Sequence, residues 1–183
     1  MSVCDILLVG SSIFESWTTL NRALPNHNIV NRAVGGTETA YWLEKLPLAL
    51  NTISPRVLAF YCGSNDLSRG KDADGVIDRT LKIVEGIRST LPHVPIVYHS
   101  IIKAPEKQKC WADVDRVNEE IRNFLAEDSH AMFIDLNPLF FHSDGHIRKN
   151  FFQDDRLHLT PGAYTAMNGL CAPLLAHCMH TSS

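Results

Sequence analysis

Ile6-Leu7-Leu8-Val9-Gly10-Ser11-Ser12-Ile13-Phe14 is the stretch on which the fold turns. Four apolar residues in a row, bounded by glycine, read as a short buried strand. A strand that ends in Gly-Ser-Ser and turns toward a helix places two hydroxyls at the carboxyl end of a sheet. Open α/β sheets bind their ligands at that edge. Ser12 is therefore a candidate nucleophile. Taken alone, the stretch is better read as an ordinary turn with serine as a helix cap, so its meaning depends on the rest of the chain.

Downstream, Phe14 to Leu24 reads as a short helix ended by Pro25-Asn26. Asn28-Ile29-Val30-Asn31 reads as a second strand, Gly35-Gly36-Thr37 as a loop, and Thr39 to Leu50 as a helix. Arg56-Val57-Leu58-Ala59-Phe60-Tyr61-Cys62 is apolar almost throughout, as a strand buried on both faces should be. Gly63-Ser64-Asn65-Asp66 ends it, and a helix from Asp74 to Leu91 stops at Pro92. Pro95 to Ile101 is a fourth strand, 103–110 a lysine-rich loop, Trp111 to Ala126 a helix, and Met132 to Leu136 a fifth strand. Residues 137–155 form a long irregular segment. A last helix opens at Thr160-Pro161, with Thr160 as N-cap, and runs to about His177 unless Pro173 kinks or ends it. Strands and helices alternate, which predicts one parallel sheet with helices on both faces. With right-handed crossovers, five strands predict the flavodoxin-like α/β/α order 2-1-3-4-5 in a single domain, 1–183.

Composition narrows the function. A hydrophobic fraction of 45% over 183 residues supports one globular core. A net charge of -3 gives no basic footprint for nucleic acid. No apolar run is long enough to span a bilayer, and the first residues do not resemble a signal peptide. Five cysteines without a Cys-x-x-Cys pair predict free thiols in a reducing cytoplasm. Cys62 ends an apolar strand and reads as a core residue. His142 and His146 share metal-ligand spacing, but a glycine-containing polar loop explains them, and no metal is expected.

Four separated stretches converge at the same predicted edge: Gly10-Ser11-Ser12, Gly35-Gly36, Gly63-Ser64-Asn65-Asp66 and Asp155-Arg156-Leu157-His158. Each alone is an unremarkable turn or cap. Together they supply what acyl transfer needs. A serine hydroxyl needs an adjacent base, and a histidine titrates near neutral pH. Asp155, three residues before His158, can fix the imidazole tautomer and stabilise its cation. The backbone amides of Ser12 and Gly36 and the Asn65 carboxamide can form an oxyanion hole.

These blocks resemble those of the SGNH, or GDSL-type, hydrolases, over nearly the whole chain. Val34-Gly35-Gly36-Thr37, His142-Ser143-Asp144-Gly145 and Leu157-His158-Leu159-Thr160 further resemble the catalytic subunits of platelet-activating-factor acetylhydrolase and bacterial GDSL-like esterases. The resemblance implies a flavodoxin-like fold, a Ser12, Asp155, His158 triad, and an oxyanion hole of Ser12, Gly36 and Asn65. The usual Gly-Asp-Ser is here Gly10-Ser11-Ser12. The family's aspartate at that place is not the triad acid, so the triad survives, while hydrogen bonding around Ser12 must differ.

The expected activity is a serine esterase acting on small-molecule esters, with no cofactor. A flavin-binding flavodoxin-like module is the alternative, with Ser11, Ser12 and Ser16 as phosphate donors, but it leaves Asp155 and His158 unused. An α/β-hydrolase elbow is excluded because Phe14 stands where the second glycine of Gly-x-Ser-x-Gly belongs. Only 137–155 could serve as an insertion, so no apolar lid is expected, and acetyl to butyryl esters are the expected substrates. Neither the alcohol portion nor the oligomeric state can be read from the chain.

Overall fold

The computed structural model describes residues 2–180. Among them, strands β1 (Ser2–Gly10), β2 (Ile29–Asn31), β3 (Ile53–Tyr61), β4 (Ile96–His99) and β5 (Ala131–Ile134) form one sheet. All pairs are parallel and the order is β2-β1-β3-β4-β5, as expected from the alternation of elements. The helices are α1 (Ser12–Glu15), α2 (Leu20–Ala23), α3 (Thr39–Leu50), α4 (Ser64–Ser68), α5 (Ala73–Thr90), α6 (Trp111–Ala126), α7 (Asn137–Phe140) and α8 (Pro161–His180).

The period-2 alternation of side chains divides each central strand between two cores. Ile6 and Leu8 of β1 pack in one layer with Met167 and Leu175 of α8. Leu7 and Val9 pack in the other, with Val76 and Val84 of α5 and Val117 and Ile121 of α6. All four β1 residues are at most 1% exposed. Each such side chain stabilises the fold by about 1.5–3 kcal/mol relative to an exposed one.

Several boundaries differ from the sequence expectation. Phe14–Leu24 is not one helix: α1 ends at Glu15 and α2 begins at Leu20. Ser16-Trp17-Thr18-Thr19 has poor helix formers, Trp17 is buried, and Asn31 Nδ2 takes the Phe14 carbonyl at 2.7 Å. The 103–110 loop is a pair of 3-10 turns, Pro105–Cys110. Residues 137–155 carry α7, a 3-10 turn at Lys149–Phe151, and the isolated bridge Phe141↔Ile147. Within this segment the His142 amide donates to the His146 carbonyl at 2.8 Å, closing a turn. Helix α8 continues through Pro173 to His180. Pro173 and Gly169, whose carbonyl loses its helical partner, both face solvent, where the unpaired carbonyl is not buried. Thr160 precedes α8, but its hydroxyl donates to the Asn150 carbonyl at 3.1 Å.

Candidate active site

The turn after β1 is fixed from three directions. Gly10 has φ +148, and a Cβ there would lie 2.1 Å from the Tyr61 carbonyl oxygen, so only glycine fits between β1 and β3. The Ser11 amide donates to that carbonyl at 3.1 Å. Behind the turn, Tyr164 of α8 donates its hydroxyl to the Ile13 carbonyl at 2.9 Å. Phe14 stacks on Tyr61 and meets the buried His99 edge-on. Ser12 opens α1 half-buried, while Ser11 is 2% exposed. The amides of Ser12 and Gly36 have no acceptor among the described residues.

The Gly35-Gly36 loop stands beside this turn. Gly36 has φ +74, a left-handed conformation suited to glycine. Its carbonyl accepts from Arg69 at 3.1 Å. Thr37 anchors the loop by donating its hydroxyl to the Val34 carbonyl at 2.8 Å.

In the Gly63-Ser64-Asn65-Asp66 block, the two polar residues divide the work. Asp66 is fully buried and points away from the cleft. It accepts the Thr39 amide at 3.0 Å and the Thr39 hydroxyl at 2.6 Å, capping α3 from another element. Asn65 lines the cleft. Its Nδ2 donates to the Thr37 carbonyl at 3.0 Å, and its Oδ1 accepts from Lys107 at 3.1 Å. Lys107 was not singled out in the sequence. It is 6% exposed, and burial lowers its ammonium below the usual lysine value.

Asp155 and His158 pair through Oδ2 and Nδ1 at 2.6 Å. Asp155 also accepts the amides of Leu157 and His158, each at 2.9 Å. The hydrogen bond from His158, followed by the two amides, holds the carboxyl at about 2. The turn needs Arg156 at φ 60 and is closed by Gln153 donating to the His158 carbonyl at 2.8 Å. The Arg156 carbonyl accepts the Glu106 amide at 3.1 Å, joining this loop to the segment that carries Lys107.

Ser11, Ser12, Ser64, Asn65, Lys107 and Leu157 share a small cleft of about 10 Å³. Leu157 joins the loop of Asp155 and His158 to this cleft, while His158 itself is not among the residues that line it. Ser12 and His158 are not hydrogen-bonded to each other here, and such contacts commonly tighten only when substrate binds. An apolar groove of about 100 Å³ between α3 and α5 contains none of these groups. Cys62, beside the block, is fully buried, and desolvation raises its thiol pKa well above the usual value. It belongs to the core.

Ser12 and Asn65 line one cleft at the carboxyl edge of the sheet, and the loop that pairs Asp155 with His158 reaches that cleft through Leu157. The chain belongs to the GDSL-like lipase/acylhydrolase family, whose model matches residues 9–166, and is thus a carboxylic ester hydrolase. It is 29% identical to platelet-activating factor acetylhydrolase IB subunit alpha2 of Gallus gallus, over 93% of this chain and 74% of that one. Its fold is similar to a GDSL-like lipase of Bacteroides thetaiotaomicron, with TM-score 0.79 and 15% identity, covering 94% of this chain and 88% of that chain. It is also similar to a family 3 carbohydrate esterase of Clostridium thermocellum, with TM-score 0.79 and 17% identity, covering both chains fully at 100%. No helix among the described residues is long and apolar enough to cross a membrane.

Proposed function

We propose that the protein hydrolyses short-chain acyl esters, acetyl to butyryl, through an acyl-enzyme on Ser12. His158 Nε2 takes the Ser12 proton as Oγ attacks the carbonyl carbon. The oxyanion is received by the amides of Ser12 and Gly36 and by Asn65 Nδ2. Asp155 stabilises the imidazolium, which then gives its proton to the departing alcohol. Water, activated by the same imidazole, releases the acid. The observation that carries this reading is the Asp155–His158 hydrogen bond through Nδ1, which leaves Nε2 without a partner among the described residues, on the loop whose Leu157 lines the cleft with Ser12 and Asn65.

The cleft, lined by Ile13, Ile102, Ala104 and Leu157 as well as by the serines and Asn65, offers no extended apolar groove, which supports a short acyl group. A long chain gains about 0.8 kcal/mol per methylene only where a groove buries it. The acetylhydrolase relative points the same way. A flavin module would leave the Asp155–His158 pair idle, and its yellow colour on purification would reveal it. The chain is taken to act as one domain, 1–183, in the cytoplasm, where the buried free thiols of Cys4, Cys62, Cys110 and Cys171 would stay reduced.

The test is a series of p-nitrophenyl esters from about two to sixteen carbons, with Ser12→Ala as the blank. We expect kcat/KM to peak among the short esters and to level off once the acyl chain leaves the cleft. A steady rise to the longest chains would overturn the short-chain assignment.

A further inference from the structure

A buried lysine stands directly behind the proposed oxyanion site. Lys107 Nζ donates to Asn65 Oδ1 at 3.1 Å, to Ser64 Oγ at 3.0 Å and to the Ser64 carbonyl at 3.3 Å. An ammonium has three hydrogens, and three acceptors take them. None is left for substrate, so Lys107 acts through its partners. The sequence separation, 42 residues to Asn65, makes this a tertiary contact rather than a local turn.

Asn65 can be oriented in two ways, related by a flip of its amide. Both of its partners select the same one. Lys107 only donates, so it requires the Oδ1 oxygen. The Thr37 carbonyl only accepts, so it requires Nδ2 at 3.0 Å. One Nδ2 hydrogen is used by Thr37, and the second remains on a group that lines the cleft with Ser12. A cation on Oδ1 draws electron density from the amide and makes the remaining N–H a stronger donor, because hydrogen bonds in series polarise one another. Such a donor counts most where negative charge develops in a water-poor site.

We propose that Lys107 is a positioning residue for the oxyanion: it locks the Asn65 carboxamide with Nδ2 toward the reacting carbonyl and strengthens that N–H by its charge. This rests on the reading of Ser12 and Asn65 given above. It also explains why a charged side chain is retained in a buried place beside the chemistry, where an ion is costly unless fully hydrogen-bonded. Removing the charge should weaken the transition state more than substrate binding.

The experiment is a double-mutant cycle on p-nitrophenyl acetate, using Lys107→Met, Asn65→Ala and the combination, with melting temperatures recorded for each. Asn65→Ala should lower kcat by about 10²–10³-fold, the usual loss of one oxyanion donor. Lys107→Met should lower kcat at least about tenfold, with KM nearly unchanged. In the Asn65→Ala background, Lys107→Met should change kcat by less than about threefold, because both act through one hydrogen bond. Equal losses in the two backgrounds, or no loss from Lys107→Met alone, would overturn the inference. An Asn65→Ala enzyme with undiminished kcat would overturn the oxyanion reading itself and the inference with it. Lys107→Gln replaces Lys107→Met if the latter does not fold, and the same non-additivity with Asn65→Ala is expected.

Discussion

The Ser12 turn and the Asp155–His158 loop meet at one cleft but are held there by opposite means. The turn is set by distant parts of the chain: Tyr61 beneath Gly10, and Tyr164 from α8. Ser11 is nearly sealed from solvent. The loop is set by its own backbone, with Asp155 accepting from residues two and three positions away and Gln153 closing the turn. Asp155 and His158 are about half exposed. Core packing therefore places Ser12, and local hydrogen bonding places the Asp155–His158 pair. A substitution in either region acts on catalysis by a different route.

The sharpest separation is within the turn itself. Ser12→Ala and His158→Ala should each lower kcat by roughly 10⁴-fold or more, because the groups act as a unit. Ser11→Ala should retain activity within about tenfold, since a buried neighbour supports the turn without reacting. Turnover of p-nitrophenyl acetate by the purified variants decides this, and an active Ser12→Ala beside a dead Ser11→Ala would reverse the assignment.

Asp155→Asn should lower kcat by about 10³–10⁴-fold with the fold intact. The Asp155 carboxyl is depressed to about 2 in the folded chain, so it stays ionised through any ordinary assay range. Because the folded value lies below the unfolded one, the stability it lends is present above about pH 4 and is lost as pH falls toward 2. A general base must be unprotonated to act, so kcat/KM should fall on acidification if an imidazole fills that role. A kcat/KM that stays flat to about pH 4 would exclude histidine in that role.

Stability should show the smaller contrast. Tyr164→Phe removes one buried hydrogen bond to the turn and should reduce stability by about 1 kcal/mol, leaving the Ile13 carbonyl unpaired. Arg156→Gly relieves a left-handed residue but loosens the unfolded chain, so its effect should stay within about 1 kcal/mol. Urea titrations of both variants measure the difference. A larger loss at Arg156 than at Tyr164 would mean that the exposed loop is not self-supporting.

The sheet and its order were legible because β1, β3 and β4 each contain an unbroken apolar run, Ile6–Val9, Val57–Tyr61 and Ile96–Tyr98, a signal local to each segment. The four blocks were legible because the chemistry of each residue type is independent of its neighbours. The break after Glu15 was not, since it depends on Asn31 reaching across from β2 to the Phe14 carbonyl. Lys107 was hidden for a similar reason. Lys103, Lys107 and Lys109 look alike in a polar stretch, and only the fold buries the second against Ser64 and Asn65. Asp66 adjoins Asn65 in the same block, yet its carboxylate serves α3.

The Tyr164 hydroxyl reaches the Ile13 carbonyl across 151 residues, and Trp17 reaches Asn168 across the same separation. Closing so long a loop is entropically slow and must be offset by the contacts that follow. During folding, β1 and its serine turn can exist well before α8 is in place, but the turn is not braced until that helix docks. The bracing of the Ser12 turn therefore depends on the docking of α8, the last element of the fold.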